Sequence, residues 1–366
     1  MKITKIAAYE VTMGLKLGPY VSAKGTLDTL VSTIVAVHTD EGLTGWGEVC
    51  PWGAAYLPAL HGAILPILAE LAPALIGRDP RMLSEVNQAM DSAVMHQFYV
   101  KSAIDYACWD ILGKVAGLPV YALLGGKLTE HLPMIASIPG GVDAMRSTVK
   151  HYKSQGYRQF SIHISQPVRE EFQAYRDVIV SFDKDAVVLI DANQSWSMRT
   201  AIEVAEAFKG LTVMLEQPVA DIQQCALLRR KIDLPVGLDE SIVTPEDIIH
   251  AGAAGILEYI GLKMGRCGGL TRTKRICDAA DSLGIGYFIK DVIGSEIATL
   301  ATAHMAHSRL SKNMIGTLNC VDMVDVVTGT ANLTHGNGEM YVPDMTPGLG
   351  FEPDMTVLGK PVAQFS

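Results

Sequence analysis

The sequence has no cysteine framework. Its six cysteines, at 50, 108, 225, 267, 277 and 320, are scattered along 366 residues, and no two form a Cys-x-x-Cys pair. In a chain of this size that spacing argues against a disulfide scaffold and favours reduced thiols in the cytoplasm. Positive charge is in deficit, with 30 Lys and Arg against 39 Asp and Glu and a formal net charge of −9. Nucleic acids and anionic membranes are bound through basic patches, so both are unexpected partners. No run of about 18 apolar residues is present to span a bilayer. The opening MKITKIAAYEV reads as a strand and lacks the apolar core of a signal peptide. No low-complexity linker divides the chain. Charged residues make up only 19% against 49% hydrophobic, which describes a globular protein with a large interior. The length suits a barrel of about 250 residues with an added domain.

What is there is a regular series of charged strand ends between Leu189 and Lys263. Apolar runs at 187–190, 213–215, 236–238 and 259–262 end in Asp191, Glu216, Asp239–Glu240 and Lys263. The steps from Asp191 to Glu216, Asp239 and Lys263 are 25, 23 and 24 residues. Each step is about one strand–helix repeat, which sets the charges at the C-terminal ends of successive parallel strands. Such strands are covered on both faces and read as apolar runs. A carboxylate ending one of them cannot lie bare in the core. Three carboxylates at one barrel mouth can share a hard divalent cation such as Mg²⁺. The lysine on the next strand is then a candidate base.

Residues 1–50 read as three strands, at 3–11 and 29–39 and after the turn in DEGLTGWGE (40–48). Two irregular loops carry aromatics that suit a cover over a site: 18–24 with Tyr20, and 50–57 with Trp52 and Tyr56. Residues 61–124 read as helical, with a break at 77–80 and an amphipathic helix at 100–112. From 132 onward strands and helices alternate, as in an α/β barrel. The first strand lies in 134–139, the second in 156–164, the seventh in 284–291 and a short eighth at 313–317. The tail at 340–354, rich in Pro and Gly, is expected to return to the N-terminal region.

Together the motifs DEGLTGWGE, SAIDYACWDILGKVAGLPVYALLGG, DANQSW, LEQP, LDES, LKMGRCGGLT and PGLG resemble the enolase superfamily, in its muconate-lactonising enzyme and mandelate racemase branch. The likeness covers nearly the whole chain. It implies an α/β fold, a modified (β/α)7β TIM-type barrel under an α+β capping domain. The capping domain would be residues 1–125 completed by about 340–366, and the barrel 126–339. It also implies one Mg²⁺ on Asp191, Glu216 and Asp239, and a general base at Lys263. The shared step is removal of the proton α to a carboxylate, the metal holding the enediolate. Glu240 would tune the ligands from behind. Homo-oligomers are common in such folds, and one is expected here.

Departures from the branch bear on the reaction. Relatives commonly carry Lys-x-Lys on the second strand; here the segment is Ser161-Ile162-His163. Ser161, the CPWGAAYLP loop and residues 99–105 resemble the cis-3-hydroxy-L-proline dehydratases, whose Ser-x-Lys pattern has His163 here in place of the lysine. Strand alternation places Ser161 and His163 on one side, so His163 can face the substrate opposite Lys263 as acid or second base. On the seventh strand Lys290 and Asp291 are adjacent, and alternation would send one of them into the site. Asn193 would point to the mouth. Cys320, with core packing as its bland role, and Asp322 are further candidates for the lining. A small-molecule carboxylate is the implied substrate, and a lyase eliminating water, giving Δ1-pyrroline-2-carboxylate from cis-3-hydroxy-L-proline, is the leading reading. The alternatives are a racemase or epimerase of a proline-like or betaine amino acid, an acid-sugar dehydratase, a lactonising enzyme, and an inactive binding relative.

Overall fold

The computed structural model describes the chain except for residues 23–24, 54–55, 57–58, 165–166, 168, 257, 311 and 344–345. Parts of the two aromatic loops, at 23–24 and at 54–55 and 57, therefore lie outside the described residues, as do 344–345 of the tail. Tyr20, Trp52 and Tyr56 lie within them.

The N-terminal strands Ile3–Gly14, Thr29–Thr39 and Thr44–Val49 form an antiparallel sheet. Its outer edge is filled by Ala363–Phe365 from the chain end, paired with Ile6–Ala8. Nearer the barrel, Glu339–Tyr341 pairs with Leu132–Pro133. The sheet packs on the helix Phe98–Ala116. Two glycines of the GWG motif permit this contact. A Cβ on Gly47 would stand 1.8 Å from the Ala103 carbonyl, and one on Gly45 would stand 2.0 Å from that of Ala107.

That helix departs from the amphipathic expectation, because it is buried nearly all round, including Lys101, Asp105 and Asp110. Its charges are satisfied internally, as buried polar groups must be. Asp110 accepts from the backbone N–H groups of Trp46 (3.1 Å) and Leu349 (2.8 Å) and from Lys114 Nζ (2.7 Å). Asp105 accepts from Asn87 and from both the backbone and the hydroxyl of Thr271. One helix thus clips the first sheet, the PGLG tail and the barrel together.

The barrel strands run Ile135–Ile138, Gln159–His163, Val187–Asp191, Met214–Glu216, Val236–Gly237, Tyr259–Lys263, Gly286–Lys290 and Met314–Thr317. All neighbouring pairs are parallel. Bridges from Leu238 to Ile260 and from Met134 to Thr317 join the five-stranded and three-stranded sheets into a closed ring. Register sets the charges level. His163 lies opposite Asp191, Asp191 opposite Glu216, and Lys263 opposite Lys290. No helix among the described residues is long and apolar enough to cross a membrane. All six cysteines are buried and free.

Candidate active site

Strand ends at the C-terminal mouth of the barrel converge on a half-open cavity that mixes aromatic, apolar and charged side chains. Tyr20, Trp52 and Tyr56 from the N-terminal region form one wall. Ser161, His163, Asp191, Asn193, Lys263, Lys290 and Asp291 form the floor and opposite sides. Both Lys290 and Asp291 line it, where alternation predicted one. The seventh strand stops at Lys290 and the chain bends, which frees Asp291 from the alternation.

Glu216 and Asp239 lie just below the lining and are fully buried. Lys290 Nζ is 2.8 Å from Glu216 Oε1 and 3.3 Å from Asp239 Oδ2. Lys263 Nζ is 3.0 Å from the same Asp239 oxygen. Arg266 donates Nη1 to Asp239 Oδ1 at 2.6 Å and Nη2 to its backbone carbonyl. Glu216 Oε1 and Asp239 Oδ2 converge above Gly261, where a Cβ would stand 2.6 and 2.8 Å from them. Only glycine leaves that space.

Asp191 accepts from the Asn193 backbone N–H at 2.8 Å and from its Nδ2 at 3.0 Å. This turn holds Asn193 at φ +46°, a left-handed conformation that asparagine tolerates. The same Nδ2 donates to Glu240 Oε1 at 3.2 Å. With its amide nitrogen committed to carboxylates, Asn193 presents Oδ1 to His163 Nδ1 at 3.1 Å. His163 Nδ1 must then carry the hydrogen. Its Nε2 accepts from Ser137 Oγ (3.2 Å), which accepts from Tyr20 OH (2.6 Å).

Burial, with the nearby Lys263 and Lys290, pulls His163 down to about 4, so the ring is neutral near pH 7. Burial pushes Asp191 well up, helped by the like charges of Glu216, Glu240 and Asp239. Glu240 is pushed up to about 7 by burial and by Asp239. Burial opposes the charge on Asp239 too, but Lys263, Arg266 and Lys290 outweigh it and hold that carboxyl low. Burial likewise opposes the Lys263 charge, yet Asp239 and Glu216 hold its ammonium above the ordinary lysine range. Burial raises Asp291, against donation from Val292, Tyr106 and Gly265. Lys263 also opposes that rise from nearby, although no ion pair to Asp291 is formed among the described residues.

Sequence reasoning missed Ser137, Arg266 and Tyr106. Arg266 follows Lys263 by three residues on the short helix Met264–Cys267, a spacing that could have flagged it. Ser137 lies two residues before Pro139, on the cavity side of the first strand. Cys320 and Asp322 stand outside the lining, whose places near the eighth strand are taken by Leu318 and Met323. Cys320 is fully buried, and Asp322 turns away to accept from Tyr157 OH at 2.9 Å.

Residues 5–125 match the mandelate racemase / muconate lactonizing enzyme N-terminal domain family. Residues 144–357 match the enolase C-terminal domain-like family. The chain belongs to the enolase superfamily. Within the mandelate racemase and muconate lactonizing branch, it is 35% identical to a cis-3-hydroxy-L-proline dehydratase of Roseibium aggregatum, with both chains covered in full. It is 28% identical to an N-succinyl-L-Arg/Lys racemase of Bacillus cereus over 96% of this chain and 95% of that one. A solved branch member from Roseovarius nubinhibens, complexed with magnesium, superposes with a TM-score of 0.96 at 31% identity, each chain covered in full. The modified (β/α)7β barrel with a capping domain is the superfamily fold, and the protein is an enzyme of the lyase or isomerase type.

The donor set suits a hard divalent ion, being made of carboxylate oxygens at the ends of successive strands. Among the described residues no three His, Cys, Asp or Glu side chains stand ready to coordinate one ion as they are. Yet Glu216 Oε2, Asp239 Oδ2 and Glu240 Oε2 are buried without a directed hydrogen bond. Two lysines crowd Asp239 Oδ2 within 3.3 Å but neither is well aimed. Buried carboxylate oxygens left in that condition are short of a partner.

Proposed function

We propose that this enzyme is a metal-assisted hydro-lyase of a small cyclic amino acid, with cis-3-hydroxy-L-proline as substrate. The supporting observation is how charge is arranged round the cavity. Cations gather at Glu216 and Asp239, while Asp291 offers a buried carboxylate that no Lys or Arg among the described residues pairs with directly. A zwitterionic amino acid complements both ends. Its carboxylate meets the cationic side and its ring ammonium meets Asp291, beside the Tyr56 and Trp52 rings. Asp191, Glu216 and Asp239 would hold the ion. When bound, a divalent cation supplies positive charge where negative charge develops on the substrate carboxylate.

Lys263 is the base. It can accept a proton only when Asp239 and Glu216 have another counter-charge, since those carboxylates otherwise keep it an ammonium. The second and sixth strands are four apart in an eight-stranded ring, so His163 and Lys263 face each other. In cis-3-hydroxy-L-proline the 3-hydroxyl and the α proton lie on opposite faces of the ring. Lys263 takes the proton from one face. The C–H pair becomes the C2=C3 bond, the C3–O bond breaks, and hydroxide leaves as water with the proton of the Ser137 hydroxyl, which Tyr20 O–H replaces; the proton gained by Lys263 then passes to solvent, and solvent restores Tyr20. The enamine then tautomerises to Δ1-pyrroline-2-carboxylate. The Roseibium aggregatum relative, named for this activity, supports the substrate.

A second reading, racemisation or epimerisation, draws support from the Bacillus cereus relative. It needs a free base on the His163 face. Both ring nitrogens of His163 are already hydrogen-bonded, to Asn193 and Ser137, which favours elimination. The test is ¹H NMR in D₂O with Mg²⁺ over cis- and trans-3-hydroxyprolines, 4-hydroxyprolines, proline betaines and acid sugars. Turnover of the cis isomer alone is expected. Turnover of another acid, with the cis isomer untouched, would overturn the substrate assignment.

A further inference from the structure

The three cations around Asp239 have different work. Arg266 is a clamp: besides Asp239 it donates to the backbone carbonyls of Ile242 and Gly261. Lys263 pairs with Asp239 alone and lies 5.7 Å from the Tyr56 ring centre, toward the cavity. Lys290 alone bridges two carboxylates with one nitrogen, 2.8 Å from Glu216 and 3.3 Å from Asp239. It does so where Glu216 Oε1 and Asp239 Oδ2 converge over Gly261. Its side chain is 6% exposed.

A buried carboxylate pair without a cation is strongly destabilising. One ammonium at the convergence point relieves that repulsion. A divalent ion shared by the same oxygens would have to take its place. We propose that Lys290 is an internal counter-ion that competes with the divalent cation for Glu216 and Asp239. The inference rests on reading those carboxylates as metal ligands. Lys290 secures the fold before the ion arrives and lowers the affinity for it. Displaced, its ammonium has somewhere to go, because Lys290 already lines the cavity and can turn toward the substrate carboxylate. Metal and substrate would then bind cooperatively, each favouring the same lysine position.

Calorimetric titration of Mg²⁺ into chelator-stripped protein tests this, comparing wild type with Lys290→Met, Lys290→Gln and Lys290→Arg. Lys290→Met should bind Mg²⁺ more tightly by about tenfold, the factor that 1.4 kcal/mol represents. Lys290→Arg should stay near wild type. The melting temperature of stripped Lys290→Met should fall further below wild type than that of the Mg²⁺-loaded form. Should the Met variant not survive stripping, Lys290→Gln carries the test, with the same tightening expected. Unchanged or weaker Mg²⁺ binding on removal of the charge overturns the inference while the metal reading stands. Absence of Mg²⁺ binding by all four proteins overturns both.

Discussion

At the residue scale the site depends on which side chains are committed and which are free. Lys263 has one carboxylate partner and an open side toward the cavity. Lys263→Ala should lower kcat by about 10²–10⁴, the usual worth of a general base. Mg²⁺ affinity should hold or tighten, as calorimetry would show; surviving turnover would move the base elsewhere. Asp291 is the group assigned to the substrate nitrogen. Asp291→Asn should raise KM by about 10- to 100-fold, the cost of one charge-assisted hydrogen bond of about 1.5–3 kcal/mol. Steady-state kinetics on the cis isomer would show it, and an unchanged KM would place the ammonium elsewhere. Much of this was legible in the sequence. Asp191, Glu216, Asp239 and Lys263 end apolar runs at even steps, and burial forces such charges to converge. The partners were not legible. Ser137 and Arg266 matter through hydrogen bonds that form only when neighbouring barrel segments close on each other, and Asp291 enters the cavity through a bend that no alternation rule describes.

At the element scale, Glu48 joins the N-terminal sheet to the barrel. It accepts from Ser32 Oγ, from the Ser295 backbone and hydroxyl, and from the Ala298 N–H at the start of the helix Glu296–His307. It lies two residues before Cys50, where the Trp52 and Tyr56 loop begins. The helix start favours an anion. Burial outweighs it and pushes Glu48 from an ordinary 4.5 up to about 7. The folded state therefore binds this proton more tightly than the unfolded chain. That contribution is full below about pH 4.5 and is lost as pH rises toward 7. It amounts to about 3 kcal/mol. Denaturant unfolding of wild type and Glu48→Gln across that range should show wild type losing ground to the variant as pH rises. A constant difference would contradict the account. The helix Phe98–Ala116 carries the clearest lesson at this scale. Its apolar spacing suggested one wet face, but Asp105 and Asp110 are tethers for other segments. Periodicity registers charge, not whether a distant backbone N–H will satisfy it.

At the scale of the whole molecule, a barrel supplies fixed charges, and a short hairpin and a loop of the N-terminal region supply the aromatic cover. The order of strands and helices was readable because parallel strands must be apolar and crossovers must be long. How the tail returns was only partly readable. Gly348 at φ +74° lets Leu349 reach Asp110, while Ala363–Phe365 completes the first sheet. Since Asp191 and Glu216 end two strands and Asp239 follows a third, an ion held among them should stabilise the entire barrel. At 100 times its Kd, Mg²⁺ should add about 2.7 kcal/mol to the unfolding free energy, seen as a rise in Tm over chelator-treated protein. No rise at saturating Mg²⁺ would argue against a shared ion.

The most direct test of the central claim is one ¹H NMR time course in D₂O, with Mg²⁺-loaded enzyme and cis-3-hydroxy-L-proline. Loss of the α and β signals together, with growth of Δ1-pyrroline-2-carboxylate signals and no epimer, is the predicted result. Deuterium entering the α position with formation of the epimer, and no elimination, would contradict it and place a working base on the His163 face.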